Sequence, residues 1–278
     1  SATALVPSQR YSRKRPGSSM VEAYPKKSLG QHWLHDVDVL ESMCDASGAD
    51  LDQEILEIGP GLGTLTVRLL NRGCKVRALE FDHELAEDLA VNTKKLANEH
   101  SLKLDFERLK VVEGDIRSFD FRSMPNGYRI CANIPYYLTS NLIRLLCDTE
   151  NKPQRAALLM QKEVAERIAS SSSKMSFLSC ITQFFYEVEL SDFVPAKLFT
   201  PPPKVDSQIL VLVRREKVLF EVDQKQFFRL LKAGFSEKRK TLRNALSGGL
   251  TVSKDLAVEL LAKAQIDPMR RAETLTPL

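Results

Sequence analysis

A glycine-rich turn between a strand-like and a helix-like segment constrains the fold of this chain most. Residues 54–59 read EILEIG, which is typical of a short buried strand, and residues 64–73 read TLTVRLLNRG, with apolar side chains at helical spacing. Between them, Gly59, Gly61 and Gly63 let the backbone approach a ligand closely, and the start of the helix offers free N–H groups to a carboxylate or phosphate. The motif alone leaves a dinucleotide site and a tight structural turn open as alternatives.

Strand-like and helix-like segments alternate on both sides of this turn. The predicted segments are, in order, a helix over 37–46, a strand over 75–82, a helix over 84–99, strands over 109–115 and 128–137, a helix over 141–148, and further segments up to a final strand over 207–215. Alternation at this rhythm predicts an α/β fold with a mostly parallel, doubly wound, Rossmann-like sheet.

The composition changes twice along the chain. Residues 1–21 are rich in Ser, Pro and Arg and have no apolar periodicity, so we interpret them as a disordered basic arm or a cloning remnant, with an organellar transit sequence as the alternative. Residues 22–216 hold the alternating pattern and form the predicted α/β domain. Residues 217–278 carry apolar side chains at helical spacing, interrupted by Gly248-Gly249, and predict a small all-helical domain.

Composition excludes several classes of protein. Apolar residues make up 43% and charged residues 27% of the chain, as in folded globular proteins. The five cysteines are odd in number and form no CxxC pair, so we expect no disulfide framework, no metal site and a reducing, cytoplasmic location. No apolar run approaches the roughly 20 residues that cross a bilayer, so no membrane role is expected.

The charge is unevenly distributed, although the net charge is only +4. Residues 1–30 carry six Lys or Arg against one acidic residue, and the tail from Lys217 carries twelve against seven, which leaves the centre acidic. Basic ends of this kind are either ordinary solvated surface or a grip on a polyanion.

Two acidic side chains end the strands that follow the glycine turn. A carboxylate at Glu80 can accept hydrogen bonds from both hydroxyls of a ribose, and a carboxylate at Asp115 can accept one from an adenine amine. Because the carboxyl ends of parallel strands meet at one edge of a sheet, the glycine turn and the two acids together predict an adenosine pocket. Either acid by itself would also fit a solvated strand end.

The next strand ends in Asn133-Ile134-Pro135-Tyr136. The side-chain oxygen of Asn133 and the backbone carbonyl of Pro135 can accept the two N–H groups of an adenine amine and localise its lone pair. Tyr136 can stack on the base, which contributes roughly 1 to 3 kcal/mol. Such groups would align the amine with a methyl donor, so the tetrapeptide favours S-adenosylmethionine over a dinucleotide. An Asn-capped turn with a packed tyrosine is the structural alternative.

Together, these motifs resemble those of the KsgA-type ribosomal RNA adenine dimethyltransferases, to which the Erm resistance methyltransferases are related. The resemblance extends from Lys26 to about Thr274 and includes, in order, KKSLGQHWLHD, LEIGPGLGTLT, LEFD, EGD, NIPY, LMQKEVAERI, FTPPPKVDS, FSEKRKTLRNAL and IDPMRRAE. It implies a class I methyltransferase that uses S-adenosylmethionine, with residues 22–216 as the catalytic domain and residues 217–278 as a small RNA-binding domain.

The resemblance also implies roles for individual residues. On the cofactor side these are His32, Leu34, Gly59 and Gly61 near the methionine end, Glu80 and Phe81 at the ribose and adenine, Asp115 and Ile116 at the adenine edge, and Asn133. On the base side they are Asn133, Pro135 and Tyr136 of the catalytic loop, and Phe199, which would pack against the flipped target base. Lys204 and Ser207 belong to the same loop as Phe199.

Two departures from the family pattern concern this site. The family usually has Gly-Gln-Asn-Phe-Leu where this chain has Gly30-Gln31-His32-Trp33-Leu34, so any interaction of the Asn side chain must be replaced or absent. The catalytic tetrapeptide is usually followed by Asn-Ile-Ser or Asn-Ile-Thr, and Tyr137-Leu138-Thr139 follows it here, which changes the packing expected behind the loop.

Within this group, FTPPPKVDS and KRKTLRNAL resemble the small-subunit branch. The implied reaction is dimethylation of two adjacent adenines in the 3′-terminal hairpin loop of small-subunit (16S) rRNA during ribosome biogenesis. The expected partner is the immature small ribosomal subunit, and the enzyme is expected to be a monomer. Unpaired loop adenines cost little to flip out. The predicted RNA-binding residues are Lys204 and a basic helix face made of Lys238, Arg239, Lys240 and Arg243, for which a solvated surface is the alternative.

Three other functions are alternatives to this prediction. An Erm-type enzyme would methylate large-subunit (23S) rRNA and give macrolide resistance. A non-catalytic ribosome-assembly or transcription factor on the same fold would show damage to the Asn-Pro-Tyr loop, which is intact here. A DNA amine methyltransferase would favour an Asp/Asn-Pro-Pro-Tyr loop and a large target-recognition domain, and this chain has neither.

Overall fold

The computed structural model describes residues 31–171 and 173–277, so the predicted arm at 1–21 and the motif residues before Gln31 lie outside the described residues. The strands are β1 (Trp33–Leu34), β2 (Glu54–Ile58), β3 (Lys75–Glu80), β4 (Leu109–Glu113), β5 (Arg129–Asn133), β6 (Arg155–Gln161), β7 (Tyr186–Val194), β8 (Phe199–Thr200) and β9 (Ser207–Arg214). The α-helices are α1 (Val37–Ser47), α2 (Thr64–Asn71), α3 (His83–Glu99), α4 (Thr139–Asp148), α5 (Lys162–Ile168), α6 (Phe177–Phe185), α7 (Gln224–Gly234), α8 (Leu242–Leu250) and α9 (Lys254–Lys263).

A seven-stranded mixed sheet forms the centre of the molecule, in the order β4-β3-β2-β5-β6-β9-β7. The first five strands run parallel to one another, whereas β9 runs antiparallel to both β6 and β7. The strand order reverses at β2, because β3 and β4 extend the sheet on one side of it and β5 and β6 on the other. Open α/β sheets bind ligands at such a switch point. The predicted α/β fold with a mostly parallel, Rossmann-like sheet is confirmed.

The central strands are buried on both faces, as is typical of parallel strands that are covered by helices on each side. Ile55 and Leu56 of β2 point to opposite faces of the sheet, and both are fully buried. Ile55 packs in a cluster with α1, α2 and α3, and Leu56 in one with α4, α5 and α6. Each fully buried side chain of this size contributes roughly 1.5 to 3 kcal/mol. The sheet is therefore a rigid support for the loops at its carboxyl edge.

Several helices begin at the carboxyl edge of this sheet. Helix α3 begins after Asp82, whose carboxylate accepts a hydrogen bond from the Glu84 N–H at 3.1 Å. Helix α4 begins at Thr139, two residues before the predicted Asn141, and directly follows a 3₁₀ turn over Tyr136–Leu138. These helix starts place the predicted motifs beside one another.

Helices α7, α8 and α9 form a separate apolar cluster after the last strand. An added Cβ on Gly249 of α8 would lie 2.6 Å from the Cβ of Ala233, so glycine permits the close approach of α8 to α7. Helix α7 also packs on α6, where the rings of Phe227 and Phe184 have centroids 5.1 Å apart. The chain after residue 216 is helical as expected, and the domain boundaries themselves stay a prediction. In the described part of the chain, no helix is both long and apolar enough to span a bilayer.

Candidate active site

A cleft lies at the carboxyl ends of β2, β3, β4 and β5, where the strand order reverses. Its volume is about 1180 Å³ when the space open to solvent is included. The cleft is lined by every residue that the sequence assigned to the cofactor or the base, namely His32, Leu34, Gly59, Gly61, Glu80, Phe81, Asp115, Ile116, Asn133, Pro135, Tyr136 and Phe199. The structure therefore brings the two predicted groups of residues together at one place.

The glycine turn forms one wall of the cleft in a backbone conformation that other residues rarely adopt. Gly59, Gly61 and Gly63 have φ angles of +69°, +56° and +86°. A Cβ on Gly63 would lie 2.7 Å from the hydroxyl oxygen of Thr93, so the turn also packs too closely against α3 for a side chain. The N–H of Gly61 donates to the Glu80 carboxylate at 3.0 Å, which ties the turn to the end of β3.

The carboxylate of Glu80 is 5% exposed and is held from two sides. Its Oε2 accepts from the Gly61 N–H, and its Oε1 accepts from the Asp82 N–H at 2.9 Å. Burial raises the pKa of Glu80, and these backbone hydrogen bonds oppose the rise. Because each carboxylate oxygen has a further lone pair, Glu80 can still accept hydrogen bonds from two hydroxyl groups in the cleft.

Glu57 is a cleft residue that the sequence reasoning missed. It lies in β2, is 1% exposed, and accepts a hydrogen bond at Oε2 from the Thr66 hydroxyl at 2.7 Å. Its Oε1 is buried and has no hydrogen-bond partner within residues 31–171 and 173–277. Burial raises the pKa of Glu57 to about 8 despite the Thr66 hydrogen bond. The available signal was an acidic residue between two apolar ones, Leu56 and Ile58, in a segment that reads as a buried strand.

Trp33 contributes an unpartnered hydrogen-bond donor, whereas Glu57 has an unpartnered acceptor. Its indole nitrogen is buried and has no acceptor among the residues that the structure describes. A Cβ on Gly61 would lie 3.5 Å from this nitrogen, so the indole edge faces the glycine turn. The cleft thus contains a spare acceptor on Glu57 and a spare donor on Trp33, and a ligand that carries both an ammonium and a carboxylate group matches that pair.

Arg117 engages the acid that was predicted to contact an adenine. The Nε of Arg117 donates to both oxygens of Asp115, at 3.0 and 2.9 Å, and Nη2 donates to Oδ2 at 2.5 Å. These contacts lower the pKa of Asp115. Arg117 was not singled out from the sequence, and it lines the mouth of the cleft beside the exposed ring of Tyr137. An adenine at this place would have to share Asp115 with Arg117.

The side-chain amide of Asn133 has a defined orientation. Its Nδ2 donates to the backbone carbonyl of His32 at 3.1 Å. Because a carbonyl oxygen can only accept, the amide nitrogen faces His32, and Oδ1 is the acceptor on the other side. The carbonyl of Pro135 accepts from the Leu138 N–H at 2.9 Å and has one further lone pair. Two acceptors are therefore present at the end of β5.

Aromatic side chains connect the two sides of the cleft. Phe199 is 3% exposed in β8, which pairs with β1 so that Phe199 lies opposite Leu34. The hydroxyl of Tyr136 lies 2.8 Å from the Ser207 hydroxyl, and burial raises the pKa of Tyr136. The ring of Tyr136 stacks on the His32 imidazole, with centroids 5.9 Å apart. The segment after Gln31, β8 and the start of β9 thus meet beside the catalytic tetrapeptide.

The predicted basic helix face is wrong. Helix α8 begins only at Leu242, so Lys238, Arg239 and Lys240 lie in the connection between α7 and α8, and Arg243 alone lies on the helix. A helix that started earlier would need the Leu242 and Arg243 N–H groups to bond to carbonyls four residues before them. Those N–H groups instead donate to the carbonyls of residues 270 and 268, at 2.7 and 3.1 Å.

The predicted RNA-binding residues differ in how accessible they are. Lys204 is exposed in the loop before β9, Arg243 is partly buried, and Lys240 pairs with Glu237 at 2.7 Å. Lys238 lines a second groove, between the connection and helices α4, α5 and α6, which also contains Arg144, Arg167 and Lys174 and the acids Glu163, Glu166, Glu237 and Glu273. The charges of this groove are therefore mixed.

Comparison with known proteins identifies relatives along almost the whole chain. A family described as ribosomal RNA adenine dimethylase matches residues 24–277. A curated relative, ribosomal RNA small subunit methyltransferase A of Dehalococcoides mccartyi (strain CBDB1), is 38% identical over 261 residues, which cover 92% of this chain and 87% of the relative.

Two solved structures are similar over most of their length. A dimethyladenosine transferase from Plasmodium falciparum has a TM-score of 0.71 at 27% identity and covers 88% of this chain and 94% of its own. The 23S rRNA methyltransferase ErmE has a TM-score of 0.68 at 24% identity, with 88% and 95% covered, and shares the fold.

Proposed function

This chain belongs to the ribosomal RNA adenine dimethylase family, and we propose that it dimethylates two adjacent adenines in the 3′-terminal hairpin loop of small-subunit rRNA. It is an rRNA adenine dimethyltransferase with S-adenosylmethionine as its cofactor, as the sequence predicted. The similarity to a small-subunit methyltransferase supports the choice of the small subunit. Action on the immature subunit, as a monomer in the cytoplasm, is part of the same proposal.

The orientation of Asn133 is the observation that carries the proposal. The exocyclic amine of adenine is a poor nucleophile, because its lone pair is delocalised into the ring. Oδ1 of Asn133 and the carbonyl of Pro135 would accept its two N–H groups and direct the lone pair towards the methyl group. The His32 carbonyl holds the Asn133 amide so that an acceptor, and not a donor, faces the amine.

The cofactor supplies a methyl group on a positively charged sulfur, which makes the methyl carbon electrophilic. Glu80 would bind the ribose hydroxyls with the lone pairs that the backbone leaves free. Asp115 would share its carboxylate between the adenine amine and Arg117. The other residues proposed to border the cofactor are His32, through its backbone, and Leu34, Gly59, Gly61, Phe81 and Ile116.

The spare polar atoms of Glu57 and Trp33 fit the amino-acid end of the cofactor. An α-ammonium group would donate to the unpartnered Oε1 of Glu57, and an α-carboxylate would accept from the indole N–H of Trp33. A positive charge beside Glu57 would lower the pKa of its carboxyl from about 8 and favour the ionised form.

Tyr136 and Phe199 would hold the target base, and alignment would supply most of the catalysis. Stacking on Tyr136 places the amine beside the two acceptors, and no strong base is required. The methylated amine is cationic for a moment and would release its proton to water at the mouth of the cleft, where Tyr137 is exposed.

RNA phosphates outside the cleft would bind to basic side chains. The candidates are Lys204, Lys238, Arg239, Lys240 and Arg243. Lys238 shares the second groove with Arg144 and Lys174, and this groove runs beside α4, the helix that follows the catalytic tetrapeptide. A hairpin whose loop enters the cleft could therefore place its stem along this groove.

Methylation of immature small ribosomal subunits with isotope-labelled cofactor tests the proposal. We expect dimethyladenosine in the 3′-terminal hairpin loop, detected by mass spectrometry of the nucleosides, and no label in protein-free large-subunit rRNA. Label in the large-subunit RNA alone would contradict the small-subunit assignment and favour an Erm-type enzyme. Cofactor binding with no label in either RNA would favour an assembly factor.

A further inference from the structure

We propose that His32 and Ser207 are positioning residues that hold Tyr136 as a preformed platform for the target base. The inference rests on the proposed function, because it assigns the base to the face of Tyr136 that His32 does not cover. It concerns the imidazole of His32, whereas the family resemblance implied only a place beside the cofactor.

The imidazole of His32 is fixed by two contacts. Its Nδ1 lies 2.7 Å from the carbonyl oxygen of Pro201, and since a carbonyl only accepts, Nδ1 carries the proton and donates it. The ring stacks on Tyr136 with an angle of 25° between the planes. His32 thus joins the proline loop after β8 to the catalytic tetrapeptide.

Ser207 fixes the other end of the tyrosine. It is fully buried and begins β9, where it pairs with Gln161 of β6, so the sheet determines where its hydroxyl lies. That hydroxyl is 2.8 Å from the Tyr136 hydroxyl. The ring face and the phenolic oxygen of Tyr136 are therefore held by two separate parts of the chain, the segment before β1 and the start of β9.

A platform that is ordered before the RNA arrives lowers the cost of binding. Immobilising a side chain on binding costs conformational entropy, and a side chain that is already immobile avoids that cost. In this chain histidine stands where the family usually has asparagine, and asparagine could bond to the Pro201 carbonyl but could not stack on Tyr136. The stacking contact therefore depends on the histidine ring.

The hydrogen bond to Ser207 can be tested with a double-mutant cycle. Ser207→Ala and Tyr136→Phe each remove one half of the same bond, so we expect each to lower kcat/KM for the rRNA substrate about three- to tenfold. The double variant should be no worse than either single variant, because the partners share one interaction. Fully additive losses would overturn the Ser207 contact.

Ser47→Ala is the matched control for Ser207. Ser47 is equally buried, and its hydroxyl donates to the Cys44 carbonyl at 2.8 Å at the end of α1, away from the cleft. We expect this variant to lose some stability and to keep the wild-type kcat/KM. An equal loss of kcat/KM in Ser47→Ala would mean that the effect reports general stability.

Three substitutions separate the two contacts of His32. Phenylalanine keeps a stacking ring without the donor, asparagine keeps a donor without the ring, and alanine removes both. We expect His32→Ala to lower kcat/KM about tenfold, mainly through KM for RNA, with smaller losses for the other two. His100→Asn, at an exposed histidine after α3, should have no effect.

Measuring cofactor affinity distinguishes two roles for the His32 imidazole: holding Tyr136 and contacting the cofactor. We expect the dissociation constant for S-adenosylmethionine, measured by calorimetry, to stay within about twofold in the His32 variants, because the backbone carbonyl that orients Asn133 remains. A loss of cofactor affinity equal to the loss of kcat/KM would assign the imidazole to the cofactor. A rise in kcat/KM in His32→Ala would mean that the imidazole occupies the place of the base.

Nuclear magnetic resonance of the free protein tests the platform without any transfer reaction. With ¹³C-labelled tyrosine, the Tyr136 ring should be rigid in the wild type and mobile in a His32→Ala/Ser207→Ala variant. Equal mobility in both would overturn the platform. The two proposals can fail separately. If the wild-type enzyme transferred no methyl group to small-subunit RNA while the Tyr136 ring was rigid, the proposed function would be wrong, but the immobilisation of Tyr136 by His32 and Ser207 would still hold.

Discussion

The cleft at the carboxyl edge of the sheet and the connection between α7 and α8 both attracted predictions of function, and they differ in how their polar side chains are held. In the cleft, Glu80 and Asn133 are each fixed by hydrogen bonds to backbone groups. In the connection, Lys238 and Arg239 are exposed and have no such anchor among the described residues. The cleft is therefore built for contacts with fixed geometry, and the connection for long-range attraction.

This difference predicts how sensitive each region is to substitution. A contact of fixed geometry depends on a single acceptor in a single orientation, so its removal should cause a large and specific loss. Attraction between mobile side-chain charges and RNA phosphates depends on how many charges there are and not on their exact positions. Removing one charge should therefore weaken RNA binding only slightly, and the effect should depend on salt concentration. Substitutions in both regions test this contrast.

Asn133→Ala should cause the largest loss. Without Oδ1 only the Pro135 carbonyl remains to accept from the amine, so we expect kcat to fall about 10²- to 10³-fold, the usual cost of removing one preorganised hydrogen-bonding group. The dissociation constant for the cofactor should change little. Single-turnover methylation and calorimetry measure the two quantities. Asn141→Ala, at an exposed position in α4, is the control. Undiminished turnover in Asn133→Ala would contradict the claim that the cleft acts through contacts of fixed geometry.

The Glu57→Gln variant should differ from the wild type in how its stability depends on pH. The pKa of Glu57 is about 8 in the folded protein and 4.5 ordinarily, so between these values the folded state holds a proton that the unfolded state has lost. Wild-type stability therefore falls as pH rises from about 5 to 8, by up to roughly 1.4 kcal/mol per unit, and glutamine removes this fall. We expect a gain on the order of 3 kcal/mol at pH 8.

Urea denaturation of the free protein at pH 5.5 and pH 8 measures this effect. The variant should gain over the wild type at pH 8 and lose affinity for S-adenosylmethionine, because glutamine cannot balance the charge of an ammonium group. A stability difference that does not change with pH would show that Glu57 ionises normally in the fold. Unchanged affinity would remove Glu57 from the proposed cofactor contacts.

Glu80→Ala should weaken cofactor binding without a comparable effect on kcat at saturation. We expect the dissociation constant to rise about 10- to 100-fold, since two charge-assisted hydrogen bonds to the ribose would be removed. Trp33 is the one tryptophan of the chain and lines the same cleft, so its fluorescence can report the titration. Glu107→Ala, at an exposed residue before β4, serves as the control. An unchanged dissociation constant would contradict the ribose assignment.

The sequence predicted the parts of the site that depend on contacts between neighbouring residues. The conformation of Gly59 and Gly61 and the acceptors of Asn133 and Pro135 follow from short motifs at strand ends. Glu57 was missed because it lies within a short segment that reads as a buried strand, and its importance arises from burial between elements that are distant in sequence.

The prediction of a basic helix face was wrong for a related reason. Arg243 looked like part of a helix face that includes Lys238, but the N–H of Arg243 donates to the carbonyl of Pro268. A partner so far along the chain is not visible in a local pattern of charges. The engagement of Asp115 by Arg117 likewise depends on a side-chain rotamer, which spacing does not determine.

Replacing Lys238 and Arg239 together by glutamine should have the smallest effect and sharpen the contrast between the two regions. We expect RNA binding to weaken only a few-fold at physiological salt, and the slope of log K against log salt to decrease by up to about 0.7 to 0.9 for each phosphate that is no longer neutralised. The kcat at saturating RNA should stay the same, because neither side chain reaches the cleft.

Arg243→Gln should instead lower stability, since Arg243 is partly buried in α8. A loss of kcat in the Lys238/Arg239 variant would mean that the connection contributes to the geometry of the reaction, and the distinction between fixed contacts and diffuse attraction would no longer hold.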